Sequence, residues 1–480
     1  MKKRISLCML LFCCFSGFAQ TVFTLDSCRN MALENNKKLR MADESIRAAG
    51  YEKKSAFANF LPGIDASGSY LYNSKDLRLI SDQQITNIGN SLQHIGGTLG
   101  EVLGPLLPLL PPGSQQAIGG LQSAVGELPA KIKDATTFDI QNMWIGTVSV
   151  KQPLFMGGKI IAYHQITKFA EELAISMKNT AVKDLILNVD QAYWQVVSLV
   201  YKKQMADSYL ALLEKLTQDV DAMYEVGVAT KSDQLTVAVK LNEAHIAVTK
   251  VNDGLVLSKM LLAQICGMPI AADYALADEM TPPSPVAVPT NVNMNEVYSH
   301  RYEIKSLELA TKIYGKKEVI ARSAMLPQLA LMGNYMVTNP NLFNGFNKNF
   351  SGMFSVGVGL SVPLWNWGKD FYKVKAAKAE TRSAILKLED AKEMIDLQVN
   401  QAIFRVNESN KTLLMTISNM NKAEENLQNA QIGYQEGVLT TQNVLEAQTA
   451  WLKAQAEKID AEIGVKLSEV YLSKAIGKNF

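Results

Sequence analysis

Four histidines, His94, His164, His245 and His300, are the side chains best suited to proton transfer or metal binding near neutral pH. No two of them stand at the spacing that puts a ligand pair on one helix face. The Gly-Gly pairs at 96–97, 119–120 and 157–158 could open a phosphate loop. Each lacks the Lys-Ser/Thr partner and the strand–helix frame that such a loop needs. The 20 methionines are spread along the chain, as core fillers are, and do not cluster as a metal relay would. These residues predict no catalytic site, no metal and no cofactor.

The chain has 480 residues, 48% of them hydrophobic and 20% charged. That length suits two ordinary domains or one large unit built from a repeat. Lys and Arg number 48 against 46 Asp and Glu, a formal charge of +2. With no basic excess, nucleic acid is not an expected partner. The apolar content is too high for a disordered chain.

Residues 1–19 read as a secretory signal peptide. Lys2, Lys3 and Arg4 make a basic start, Ile5 to Phe15 is apolar, and Gly17 and Ala19 are small residues placed for cleavage. Its removal takes three positive charges and three of the five cysteines, Cys8, Cys13 and Cys14. No lipidation box surrounds Cys13 or Cys14. Cys28 and Cys266 remain, 238 residues apart. They pair only if the fold brings them together, and two free thiols are the expectation. The longest weakly charged stretch, Val102 to Gly126, holds Pro105, Pro108, Pro111 and Pro112, which would break a spanning helix. An exported chain of this kind enters a membrane only as a β-barrel.

An internal repeat supplies the framework. Val148 to Lys159 matches Val358 to Lys369 in its Val, Pro, Leu, aromatic, Gly and Lys positions, at a shift of 210. Tyr224 to Thr230 matches Tyr434 to Thr440 at the same shift, as do Leu262 and Gly267 with Leu472 and Gly477. Upstream, Leu61-Pro62 with Gly68 and Tyr70 matches Leu326-Pro327 with Gly333 and Tyr335 at a shift of 265. The first copy therefore carries 55 extra residues, within about 73–139. The expected organisation is a signal peptide (1–19), a first repeat (20–293) ending in a Pro-rich connector (268–293), and a second repeat (294–480).

Each repeat reads as helix, two short strands, then two long helices. Val356, Val358, Leu360 and Val362 alternate with small residues, the period of a strand with one apolar face. Trp144, Val148 and Val150 oppose Thr147, Ser149 and Lys151 in the same way. Leu388, Ala391, Ile395, Val399, Ala402, Val406 and Leu413 follow helical spacing. Leu364 to Tyr434 contains no proline and as unbroken helix would extend roughly 105 Å. Its narrow apolar stripe suits a coiled-coil wall wet on at least one side.

Two pairs of motifs stand at the ends of these elements. Pro153 with Gly158, and Pro363 with Gly368, mark the change from strand to helix, with each proline expected to end ladder pairing. Gly227 and Gly437 mark helix hairpins, with Thr230 and Thr440 opening the next helix. Capping alone accounts for those residues. A second reading makes Val228, Val438 and Leu439 an apolar docking tip.

The sequence resembles the TolC-type outer-membrane efflux protein family. The resemblance spans essentially the whole mature chain. It rests on Leu25 to Asn36, on the two Leu-Pro strand openings, on the Pro-Leu-aromatic junctions, and above all on Tyr434 to Gln448. It implies a mainly helical protein with a small β part: long antiparallel helical hairpins forming an α-barrel, and four strands per chain in a twelve-stranded barrel shared by a homotrimer. It implies a passive exit duct through outer-membrane lipid and periplasm in a Gram-negative bacterium. The implied partners are a periplasmic adaptor and an inner-membrane pump or transporter. The tips near Gly227 and Gly437 are then adaptor-docking sites and the place where the tunnel narrows. Tyr434 matches a tip tyrosine that ties neighbouring helices. Glu446 stands where relatives place an acidic residue lining the constriction. Asn443 departs from the Asp common there, while Asp233, its first-repeat counterpart, keeps the acid. Leu439 departs from the polar residue of some relatives.

The 55-residue surplus is a further departure, expected as an extracellular loop. It is either a lid over the barrel mouth or a surface elaboration. The competing reading of the whole chain is a soluble periplasmic coiled-coil adaptor or structural protein.

Overall fold

The computed structural model describes residues 21–109, 111–280 and 292–478. The signal segment, connector residues 281–291 and Phe480 lie outside the described residues. In chain order the elements are β1 (Thr21–Phe23), α1 (Leu25–Asn35), α2 (Lys37–Ala58), β2 (Gly63–Tyr72), β3 (Leu77–Arg78), α3 (Asp82–Leu103), α4 (Pro112–Thr136), β4 (Thr137–Phe138) and β5 (Asn142–Met156). There follow α5 (Lys159–Glu225), α6 (Lys231–Cys266), β6 (Tyr274–Leu276), α7 (Met294–His300), α8 (Tyr302–Ser323), β7 (Gln328–Asn339), β8 (Ser351–Ser361), α9 (Lys369–Gln435) and α10 (Thr441–Ala475). Among the described residues, no helix is long and apolar enough to cross a membrane.

The elements recur on the two sequence shifts. α5 and α9 are 67 residues each and start 210 apart; α2 and α8 are 22 residues each and start 265 apart. A left-handed glycine closes the last helix of each copy, Gly267 at φ 74° and Gly477 at φ 73°. A Cβ on Gly267 would strike Asn35, and one on Gly477 would strike His300. Asn35 and His300 end α1 and α7, so both copies close on the same joint between their first two helices.

The chain divides into two units. One holds the helices outside residues 54–164 and 319–374. Its packing follows from a narrow stripe: Ile395, Val399, Ala402, Val406, Leu413, Met420 and Leu427 are buried on α9, at steps of three, four or seven. That period is the seam of a left-handed coiled coil. Val189, Tyr193 and Val196 of α5 pack with Ala32 of α1 and Leu262 of α6 in one core. Val297, Val399, Val406 and Leu472 make the corresponding core of the second copy. The connector is not plain loop: its β6 pairs in parallel with β1, Val22 opposite Ala275.

The other unit holds residues 54–164 and 319–374. Its main sheet has the order β2-β5-β7-β8, with every neighbouring pair antiparallel. β2 and β8 are therefore its two edges.

Two expectations need correction here. The surplus of the first copy is a helical hairpin, not a loop. β3 and β4 pair at its base, with Leu77 opposite Phe138. Ser81 and Gln84 form a capping box that starts α3. The prolines expected to break helix are gathered in the turn, where a 3-10 segment (Gly104–Leu109) leads to Pro112 at the start of α4. A proline is harmless there, since the first helical N–H has no partner anyway. Between α3 and α4 lies an apolar groove of about 290 Å³ lined by Leu92, Leu99, Leu103, Ile118, Leu121 and Val125.

The second correction concerns Pro153. It does not end its strand, because β5 runs on to Met156. The ladder with β7 absorbs it in a bulge between Pro153 and Phe155, and β2 has already stopped pairing at Lys151. Pro363, by contrast, lies beyond the end of β8.

Candidate functional site

The sheet sorts its side chains by face. Ile64, Ala66, Gly68 and Tyr70 of β2 lie opposite Val150, Val148, Gly146 and Trp144 of β5. Those four lie opposite Gly333, Tyr335, Val337 and Asn339 of β7, and β8 continues the face with Val356 and Phe354. The other face carries Ser67, Thr147, Ser149, Asn334 and Ser355. Period-2 alternation thus gives one mainly apolar face and one richer in polar and small residues, although Ile145, Met332, Met336 and Met353 also lie on the second. The apolar face is uncovered: Val356 is 61% exposed, Val358 63% and Leu360 65%. A greasy face four strands wide is not left to water in a soluble protein. Near its end, the rings of Tyr70 and Trp144 meet at a tilt of 47° with centroids 4.7 Å apart, and the Tyr70 hydroxyl donates to Asn142 at 2.7 Å.

At the junctions, two successive residues take left-handed backbone before each long helix. These are Gly157 and Gly158 before α5, and Trp367 and Gly368 before α9. Gly157 has no room for a Cβ, which would meet the Ser323 carbonyl oxygen at 2.9 Å. Trp367 accepts the same conformation, at φ 54°, which is strained for a bulky residue. Its ring is open and meets Trp365 edge-on at 6.0 Å. Tryptophan is enriched at membrane–water interfaces.

The two helix hairpins end in the same turn. The Val228 N–H donates to the Met223 carbonyl at 2.8 Å, and the Val438 N–H to the Gly433 carbonyl at 2.8 Å. Gly227 and Gly437 supply φ 79° and 73°. The next helices start with matching capping boxes. Asp233 accepts from the Thr230 N–H at 2.9 Å, and Asn443 from the Thr440 N–H at 3.0 Å. Asp and Asn both supply the acceptor oxygen, so the departure at Asn443 keeps the cap and drops the charge. Asp233 is held below the usual carboxylate range by the hydroxyl and N–H of Thr230.

The tips differ by a size exchange. The first has Met223 with Ala229; the second has Gly433 with Leu439 at the same shift. Leu439 folds over the bare Gly433, where an added Cβ would meet it at 2.8 Å. Packing explains the apolar Leu439. Val228 and Val438 are open apolar points of the two tips, 74% and 78% exposed, and Val226 beside Val228 is equally open. The hydroxyl of Tyr434 donates to the Met223 sulfur at 3.2 Å, a partner the sequence did not suggest. Tyr224, its counterpart, instead lies 5.4 Å under the ammonium of Lys231. Glu446 is exposed and accepts from the Gln442 amide at 2.9 Å. Among the described residues, no group of three or more His, Cys, Asp or Glu side chains is placed to hold a metal ion.

A sequence model described as outer membrane efflux protein matches residues 122–268 and 294–478, well over half of the chain. The chain belongs to that family. As an outer membrane efflux protein it is a channel-forming exporter of the outer membrane, and the match spans both repeats. No curated protein matches it in sequence. Solved structures share its fold. A membrane protein from Pseudomonas aeruginosa is 17% identical, with a TM-score of 0.74 over 94% of this chain and 93% of that one. CusC, described as undergoing transmembrane channel formation, is 16% identical, with a TM-score of 0.73 over 95% and 92%. The Campylobacter jejuni CmeC outer membrane channel is 16% identical, with a TM-score of 0.72 over 94% and 85%. At these identities the likeness is one of fold. The efflux-protein match favours the duct over the soluble adaptor reading. It begins at residue 122 and so leaves out most of the α3–α4 hairpin.

Proposed function

We propose that this efflux protein is the outer-membrane duct of a tripartite efflux or type I secretion system, assembled as a homotrimer. One observation carries this reading: a four-stranded antiparallel sheet with two free edges and one continuous apolar face. Four strands are too few to close on themselves, since barrels need about eight or more. Three copies joined edge to edge give twelve strands, with the apolar face toward lipid and the polar face toward the lumen. Phe404, Leu414 and Met415, exposed on α9 away from its buried stripe, supply surface for packing between neighbouring copies.

In this assembly the hairpin tips face the periplasmic adaptor, with Val228 and Val438 as apolar contacts, and an inner-membrane pump drives the cargo. Asp233, Tyr434, Asn443 and Glu446 stand at the narrow end of the tunnel. Pro153, Gly158, Pro363 and Gly368 mark the passage from barrel to tunnel. The α3–α4 hairpin stands at the strand ends opposite those junctions, on the extracellular side in this assembly, as a surface elaboration or as a lid over the barrel mouth. Its base is held to the β7–β8 loop by the tilted ring contact of Phe138 with Phe346 and by the Lys348–Asp139 ion pair.

Reconstitution in planar bilayers tests the duct. Stepwise conductance is expected, with cation preference reduced in Glu446→Gln because three carboxylates would ring the constriction. No conductance would contradict the duct; equal selectivity in both proteins would remove Glu446 from its lining.

A further inference from the structure

Cys28 and Cys266 are the two cysteines that remain beyond the signal segment. The fold brings them together from 238 residues apart. Cys28 lies in α1, and Cys266 is the last residue of α6. Both are fully buried, in the core that also holds Ala32, Leu262 and Tyr274. The Cys266 thiol donates to the Cys28 carbonyl oxygen at 3.5 Å. Contact with the Cys266 side chain holds Cys28 below the ordinary thiol range. That contact, with burial, pushes Cys266 well above it. The structure holds both as free thiols.

The second repeat provides an internal comparison. At the same shifts its residues are Asn293, which caps α7, and Ile476, which follows α10. One copy of this architecture therefore packs with neither sulfur. Ile476 shows that the Cys266 place accepts an apolar side chain without sulfur, whereas Asn293 is exposed and is no buried counterpart to Cys28. A buried free cysteine can serve as a small hydrophobe.

We propose that Cys28 and Cys266 are joined as a disulfide while the chain folds outside the cytoplasm, fastening α1 to the end of α6. The proposal rests on the outer-membrane location and on a compartment where disulfides persist. The oxidant is the disulfide of a thiol–disulfide oxidoreductase. One cysteine thiolate attacks it to form a mixed disulfide, and the second cysteine thiolate then displaces the enzyme's sulfur. Two S–H bonds break and one S–S bond forms. Two electrons and two protons pass to the oxidoreductase, which leaves as a dithiol. The exchange precedes final packing, because neither sulfur is reachable once α1 is seated. The clasp holds the start of the mature chain, including the short β1–β6 pair, on the long hairpin of the first repeat.

The test uses full-length protein exported to the outer membrane. Cells are lysed in denaturant with an alkylating agent and no reductant, and the protein is digested and weighed. The expected result is no alkylation at Cys28 or Cys266, and a single linked peptide pair that separates on reduction. A version lacking residues 1–19 and retained in the cytoplasm should carry both thiols alkylated. Alkylation of both cysteines in the exported protein would overturn the clasp. Recovery of that protein in the outer-membrane fraction keeps this failure distinct from a failure of location. A Cys28→Ser/Cys266→Ser protein is expected to assemble but to lose the drop in thermal midpoint that reductant causes in the parent. A parent midpoint unmoved by reductant would count against the proposal.

Discussion

The hydroxyl of Tyr434 donates to the sulfur of Met223 across 3.2 Å, joining the end of α9 to the end of α5. The two residues come from different repeats, so the contact ties the two hairpin tips of one chain. A thioether is a weak acceptor, and the net contribution is on the order of 1 kcal/mol or less. The Tyr434 ring also packs beside the core of Leu213, Val220, Val444 and Leu445. Tyr434→Phe keeps that packing and removes only the donor. It is expected to leave overall stability nearly unchanged and to raise the open fraction of single channels in bilayers. Met223→Leu should do the same. Unchanged gating in both variants would detach this contact from the constriction.

The tips should respond differently to acid. Asp233 has its pKa lowered by Thr230, whereas Asn443, in the same capping role, does not titrate. A lowered carboxylate pKa means stabilisation that is complete above the unfolded-state value and is lost as pH falls through the folded-state value. Amide protection in the first turn of α6 should therefore fall in strong acid while that of α10 persists, as read by hydrogen exchange. Asp233→Asn should remove the difference. Thr230→Ala or Thr440→Ala should cost its own helix start about 1 kcal/mol at neutral pH.

The two faces of the sheet predict opposite tolerance to charge. Val148 and Thr147 are neighbours on β5, in line with Tyr335 and Met336 of β7 respectively. Val148→Arg places a cation toward lipid and should destabilise the assembled barrel by about 2–4 kcal/mol. Thr147→Arg points to the lumen and should cost far less while changing conductance. Urea unfolding of the protein in lipid vesicles reads the difference. Equal penalties would contradict the assignment of faces.

Deleting Gly96 to Gly126 removes most of the α3–α4 hairpin and leaves the β3–β4 base. If the hairpin is a lid, conductance should rise and open-channel noise should change. Unchanged conductance and noise would make it a surface elaboration.

The repeat and its boundaries could be read from the sequence because the same junction chemistry is written twice. Lys159 and Lys369 start α5 and α9, and Thr230 and Thr440 cap α6 and α10. The hairpin was hidden because Gly89, Gly96 and Gly97 dilute its helical pattern. Ile85, Leu92, Leu99 and Leu103 still stand at helical spacing, and its prolines are confined mostly to the turn. Pro153 misled because a proline rule for regular ladders does not cover a bulge. At the tips, the capping residues were legible from type and position. The Tyr434–Met223 contact was not, since it joins residues 211 apart that only the packed helices bring together. The fold of Leu439 over Gly433 likewise needs the turn to be built before it can be seen.

The account depends on β2 of one copy meeting β8 of another. The most direct test is the mass of the purified full-length protein in mild detergent, by light scattering or native mass spectrometry. A trimer that aggregates or loses solubility on detergent removal is the predicted result. A stable, soluble monomer in plain buffer would contradict it.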